Sequence, residues 1–498
     1  MNYRFYYDES EHSRSIGYKT ITAENFYDSF ITVIVGWKTT DEDAIQKRYE
    51  AFEEKYLDRH PKGELKSNAI QNKQLRYGFA STTKGNHGFI ADYLSLFSKE
   101  VYVYISTFSK VEYIVHQLFR DYQNSLFIDI DMMKYSIAKA LVIYRPESIV
   151  DAIYNAPENI ISVMKAFFED RIEKNRLNPS LKEKETESFK QILLLLDDVQ
   201  PIQQSDWDYI PPFVGFEKFL CEHSIEDYSL TIDREGQQER TVQSAAKAGL
   251  KNVSDSDSAL LFGIRMADML AGLIGKLMKA LSKALHPLPS NSIQKTILST
   301  EWFDLTDAQL ALYKKLHYVI CELNNTWYKS YAGIYADDLV CLNALLNYMK
   351  HFASTQEIKS DLGLQGEYFN GYACDALLQD YQKKRSKLPF QAISHSNIND
   401  GYFFNQRGAK VYFDISKQPL LPISRSCSRY YVFSVGFSKN GTPLVTVKED
   451  ENPVCYRLPP QLSDWAFTMV ALSNAACNLF PSDVEFSFQN ERYCAAIL

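Results

Sequence analysis

Acidic residues stand at four places where this chain could assemble a site. The first is YRFYYDES, Tyr3 to Ser10, an aromatic run with the composition of a buried strand that ends in Asp8, Glu9 and Ser10. A strand core excludes unpaired carboxylates, because burying one in an apolar interior is costly. At the carboxyl end of a strand the same acids reach the rim of a sheet and can face a ligand, although Asp and Ser also open ordinary turns. The pattern returns at YSLTID, where an apolar strand runs into Asp233.

The third place is Asp268, inside the most apolar long stretch, ALLFGIRMADMLAGLIGKLMKAL, residues 259–281. Set on a helix, Arg265, Asp268, Gly272 and Gly275 or Lys276 recur at three- and four-residue steps and share one face. Two readings are open: an Arg265–Asp268 ion pair with glycines for close packing, or a carboxylate aimed from a rigid helix into a site. The fourth place is GELKS, where a period of two puts Glu64 and Lys66 on one face with Leu65 behind. An adjacent acid and base is equally an ordinary surface pair.

Taken in order, these stretches resemble a bacterial RNase H-like domain family of unknown function. Its pattern is roughly D-E-S-G, then E-x-K, then a strand-end Asp, then Q-x-A-D-x-x-A-G. The matching residues are Asp8, Glu9 and Ser10; Glu64 and Lys66; Asp233; and Ala267, Asp268, Ala271 and Gly272. The resemblance covers about residues 1–285. Two positions depart from it: Glu11 stands where Gly is usual, and Arg265 where Gln is usual.

The resemblance implies an RNase H-like mixed-sheet core and a divalent-metal-dependent nuclease, with a possible setting in bacterial defence alongside a partner protein. Asp8, Glu9, Glu64, Asp233 and Asp268 would be the metal ligands, with Lys66 and Arg265 on phosphate. Asp8, Glu64, Asp233, Asp268 and Lys66 would form the catalytic set. Oxygen donors suit Mg²⁺ or Mn²⁺, hard cations whose shell a substrate phosphate completes. Two such ions about 3.5–4 Å apart can activate water and stabilise both the attacking and leaving oxygens. Nucleic acid, DNA or RNA, would be the substrate. The alternative is a catalytically inactive protein of the same fold that docks a partner protein.

The rest of the chain narrows the classes. Nine histidines form no H-E-x-x-H pair, and neither a G-x-x-x-x-G-K-[ST] loop nor a G-x-S-x-G elbow occurs. His12 and His87 read as surface or helix-cap residues. None of the eight cysteines forms a C-x-x-C pair, so reduced and mostly buried thiols in a cytoplasmic protein are expected. A net charge of −8 argues against a general nucleic-acid coat, though not against a nuclease that holds its own acids. Arg265, Asp268, Lys276 and Lys279 disqualify the apolar stretch as a membrane span.

The elements predicted to carry these residues are an α/β core at residues 1–288 with a helical insertion at about 110–226. A helical region at 289–390 and a β-rich α+β region at 391–498 follow. QPIQQSDWDYIPPF, Gln200 to Phe213, reads as a surface loop. An Asn-Gly pair at Asn440 and Gly441 predicts a hairpin.

Overall fold

The computed structural model describes residues 2–11, 16–23, 25–59, 64–120, 122, 130–196, 209–234, 240–286, 295–385, 418–424, 427–438, 442–450, 452–474, 479–489 and 492–498. The chain is mixed α/β and divides into two compact units, residues 1–121 with 133–380 and residues 122–132 with 381–498.

The first unit is built on six strands: β1 (Tyr3–Ser10), β2 (Ser29–Lys38), β4 (Tyr102–Ser109), β5 (Tyr228–Asp233), β6 (Val253–Ser256) and β7 (Ser330–Ala332). A short β3 (Arg76–Phe79) stands outside this sheet. The order across the sheet is β6-β5-β1-β2-β4-β7. β1 is antiparallel to β2, and β2 to β4. On the other side β5 is parallel to β1, and β6 to β5. Strand β1 therefore has one antiparallel and one parallel neighbour. The carboxyl ends of β1, β5 and β6 lie along one rim.

Alternation along β1 assigns its two faces. Tyr6 belongs to a core formed with α2 (Glu42–Lys55), α3 (Lys84–Leu94) and the long helix α11 (Phe262–Leu285). Phe5 and Tyr7 belong to a second core, on the opposite face, with Phe213, Phe216 and Phe219 of α9 (Ile210–Glu222). Successive strand side chains point to opposite faces, so Asp8 and Ser10 share the α11 side and Glu9 shares the side of Phe5 and Tyr7. Helix α11 can lie close to β1 because its glycines leave room. A Cβ on Gly263 would overlap the Tyr6 ring, and one on Gly275 would stand 2.8 Å from Ser10 Oγ.

Between β4 and β5 the described chain is helical, as α4 (Lys110–Leu118), α5 (Ile130–Tyr144), α6 (Glu147–Asn155), α7 (Ile160–Asn175), α8 (Pro179–Leu196) and α9; shorter helices α1 (Tyr18–Ile21), α10 (Arg240–Lys247) and α14 (Thr355–Ser360) lie elsewhere in the chain. Residues 169–189, dense in charges of both signs, form the end of α7 and the start of α8 around a turn, where Leu177 is exposed. Of the expected loop 200–213, residues 200–208 lie outside the described residues. Ile210–Phe213 opens α9 instead, with Pro211 and Pro212 in the first turn, where proline costs no intrahelical bond.

Both expected domain cuts, near 288 and 390, fall outside the described residues. On the far side of the first, α12 (Asp307–His317), α13 (Asp337–Lys350) and α15 (Gln365–Arg385) do not form a separate region. Leu310, Leu342, Leu345 and Phe369 share one continuous core with α11 and β2, so residues 295–380 belong to the first unit. The apolar faces of these helices are the cover that α11 needs on its outer side.

The second unit holds an antiparallel sheet in the order β10-β9-β8-β11-β12. Its strands are β8 (Ser428–Phe437), β9 (Pro443–Glu449), β10 (Asn452–Arg457), β11 (Ser482–Gln489) and β12 (Arg492–Ile497). A helix at Ser463–Asn474 buries Ala466 and Val470 against Val432, Val445 and Val484. β8 and β9 pair as a hairpin would, and Asn440 and Gly441 between them lie outside the described residues.

Among the described residues no helix is long and apolar enough to cross a membrane. The seven cysteines there are free thiols; Cys341 and Cys455 are buried, but Cys221, Cys374, Cys427 and Cys494 are exposed, so burial is not their common feature. His87 Nε2 donates to the Thr82 carbonyl, 2.8 Å away, beside the start of α3, while His12 lies outside the described residues.

Candidate functional site

The rim where β1 and β5 end is where the acids meet. The parallel register pairs Tyr6 with Thr231 and Tyr7 with Ile232, so one step further Asp8 and Asp233 face the same side on adjacent strands. Asp8 is the first residue of β1 past the aromatic core, and Asp233 ends β5. The Asp8 carboxylate accepts the Glu9 N–H at 2.7 Å. Dense surroundings, reinforced by the charges of Glu9, Asp268 and Asp233, hold its pKa well above the usual carboxylate range.

Asp268 approaches from α11. Its two oxygens take the Ser67 N–H at 2.7 Å and the Ser67 hydroxyl at 2.9 Å. Burial raises its pKa, with the Ser67 bonds, Lys276 and Lys66 opposing that rise. The contact exists because residue 272 is glycine: a Cβ there would overlap the Ser67 side chain. The small residue one turn beyond Asp268 is thus what seats the 64–69 segment on the helix.

That segment has the expected alternation. Leu65 is fully buried, while Glu64 and Lys66 share the other side and pair at 2.9 Å. The pairing raises the Lys66 pKa, to which Asp233 and Asp268 add. Asp233 accepts the Arg234 N–H at 3.0 Å and the Ser258 N–H at 3.2 Å. Burial raises its pKa, and Lys66 is among the groups that oppose the rise. The Ser258 hydroxyl donates to Glu64 Oε2 at 3.2 Å and accepts from Lys66 Nζ at 3.4 Å.

Asp8, Glu64, Lys66, Asp233 and Asp268 therefore converge from β1, the 64–69 segment, β5 and α11. Two expected members stand elsewhere. Glu9 lies on the opposite face of β1, so alternation alone turns it from Asp268. Arg265 neither pairs with Asp268 nor points to the acids. Its Nε and Nη2 bind Glu53 of α2 at 2.8 and 2.9 Å, and its Nη1 binds the Ser258 and Ala259 carbonyls.

Several residues of the site carried no sequence signal of their own. Ser67 and Ser258 are hydroxyl residues in loops, and Glu53 reads as one more acid on an amphipathic helix. Lys276 was legible as part of the polar stripe on α11. Its ammonium donates to the Ser67 carbonyl at 3.0 Å, beside Asp268, and burial lowers its pKa. Glu11 occupies the left-handed region at φ 58°, a conformation glycine adopts without strain. Its carboxylate is held by Lys279 Nζ at 3.0 Å.

The donor set tests the fit to a divalent cation. It is all oxygen, it is acidic, and the charges of Asp268 and Asp233 oppose that of Asp8, which is the chemistry a hard cation relieves. In this conformation Ser67, Ser258 and Lys66 engage the carboxylates, and among the described residues no three acidic, His or Cys side chains are grouped so that they could hold a metal ion.

Comparison with family models, with curated proteins and with solved structures found no match.

Proposed function

We propose that this chain is a metal-dependent nuclease whose site is the rim formed by Asp8, Glu64, Asp233 and Asp268. One observation carries the reading: Asp8 sits among the like charges of Asp233 and Asp268 at the end of a buried strand, with pKa values raised at all three. The like charges themselves add no stability to the fold, since carboxylates close together in a dense environment repel. Such clusters mark functional sites. The mixed sheet, with β1 between an antiparallel and a parallel neighbour, supports an RNase H-like core.

Asp8, Asp233, Asp268 and Glu64 would hold Mg²⁺ or Mn²⁺. The ions, when bound, would polarise a phosphodiester and lower the pKa of the attacking water. The chain's own side chains do the rest. Ser67 fixes both oxygens of Asp268, leaving lone pairs on each for a further partner. Lys66 and Lys276 place two ammonium groups beside the acids, where a phosphate would lie. Arg265, committed to Glu53, is given no phosphate role.

The test is cleavage of single- and double-stranded DNA and RNA oligonucleotides in Mn²⁺, with Asp8→Asn and Asp268→Asn in parallel. Cleavage that requires Mn²⁺ and both acids supports the proposal. Cleavage that survives either substitution, or a well-folded wild type inert on all four substrates, sinks it and favours an interaction protein.

A further inference from the structure

Ser258 lies in the turn between β6 and α11 and touches acids delivered by two other elements. Its N–H binds Asp233 at 3.2 Å, its hydroxyl donates to Glu64 at 3.2 Å, and the hydroxyl oxygen accepts from Lys66 at 3.4 Å. A hydroxyl has one donor and two acceptor sites, so one small side chain can serve both Glu64 and Lys66. Ser258 is buried, at 6% exposure.

Its backbone is held in turn. Arg265 Nη1 donates to the Ser258 carbonyl at 2.8 Å and to the Ala259 carbonyl at 3.2 Å. The other edge of the guanidinium forms two parallel bonds to Glu53 at 2.8 and 2.9 Å. The Arg265 and Glu53 side chains are only 12% and 17% exposed. A bidentate fork fixes the plane of the guanidinium, and a mostly buried pair is little screened by salt. Tyr49 lies beneath it, with the guanidinium 5.6 Å from the ring centre.

We propose that the Glu53–Arg265 pair is a clamp that positions Ser258, and that Ser258 sets the separation of Asp233 and Glu64. Arg265 is thus a positioning residue. The inference rests on the reading of these acids as a metal site, and it explains why a cation at this point on α11 does not disturb Asp268. Lysine cannot replace it, since a point charge reproduces neither the fork to Glu53 nor the simultaneous hold on two carbonyls.

Two readouts on the full chain test it. The first is amide hydrogen exchange of the segment around Ser258, which needs no metal. Arg265→Lys and Glu53→Gln should each speed exchange there while the remainder of α11 keeps its protection. Unchanged exchange overturns the clamp. The second is Mn²⁺ affinity, with nucleic acid present. Removing partners that orient ligands typically weakens metal binding by about 10–100-fold, and Ser258→Ala and Arg265→Lys should do so. Ser258→Thr, which keeps the hydroxyl, should retain most of the affinity.

Wild-type binding that Ser258→Ala leaves unchanged overturns the positioning role while the metal-site reading stands. Absence of wild-type binding overturns the metal-site reading and the positioning role with it, whatever the exchange experiment gives.

Discussion

Ser67 grips Asp268 with both its amide and its hydroxyl, at 2.7 and 2.9 Å, across 201 residues of chain. The bond pair joins the segment carrying Glu64 and Lys66 to the helix carrying Asp268, and it depends on Gly272 having no side chain. Much of the site's geometry follows from this one junction.

Gly272→Ala tests the junction. Alanine is the better helix former by about 1 kcal/mol, yet its methyl would overlap Ser67. Overpacking of this kind costs about 1–3 kcal/mol, so the variant should be less stable in urea denaturation and should lose activity with it. A variant as stable and active as wild type would show that the contact is not needed.

Glu11 offers a separable prediction. Its left-handed backbone is strained for any residue with a Cβ, by about 1–2 kcal/mol, and its carboxylate is paired with Lys279. Glu11→Ala loses the pair and keeps the strain, whereas Glu11→Gly loses both. Thermal unfolding should rank Glu11→Gly above Glu11→Ala. The reverse order would place the stabilisation elsewhere.

The raised carboxyl pKa values predict a pH dependence whose sign is fixed by linkage. Where an acid's folded pKa exceeds its unfolded value, the native state binds more protons between the two, so stability falls as pH rises through that window. Asp8 and Asp268 should therefore weaken the metal-free fold as pH rises above the ordinary aspartate range. Asp8→Asn removes part of that charge and should raise Tm at neutral pH, with a smaller gain near pH 4. A lower Tm at neutral pH for Asp8→Asn would mean that the carboxylate is structurally required.

How much of this was legible in the sequence depended on periodicity. The strands bearing Asp8 and Asp233 and the helix bearing Asp268 were readable, because their apolar patterns are long and their acids interrupt them. Glu64 and Lys66 were readable as an alternating pair around Leu65. Parallel register, which brings Asp8 beside Asp233, is a tertiary fact that no local pattern contains. The same holds for Ser67 and Ser258, whose roles come from what packs against them. Strand alternation does turn Glu9 away from Asp8, and that much was available in YYDES. The cut near 288 failed because α12 and α13 carry apolar faces that a periodicity reading cannot assign to a partner.

The most direct measurement is Mn²⁺ binding by calorimetry, with and without a nucleic-acid oligomer, on wild type, Asp8→Asn and Asp268→Asn. The account predicts binding by wild type that each substitution abolishes, since β1 and α11 would contribute to one metal site. A well-folded wild type that binds no Mn²⁺ even with the oligomer present would contradict it.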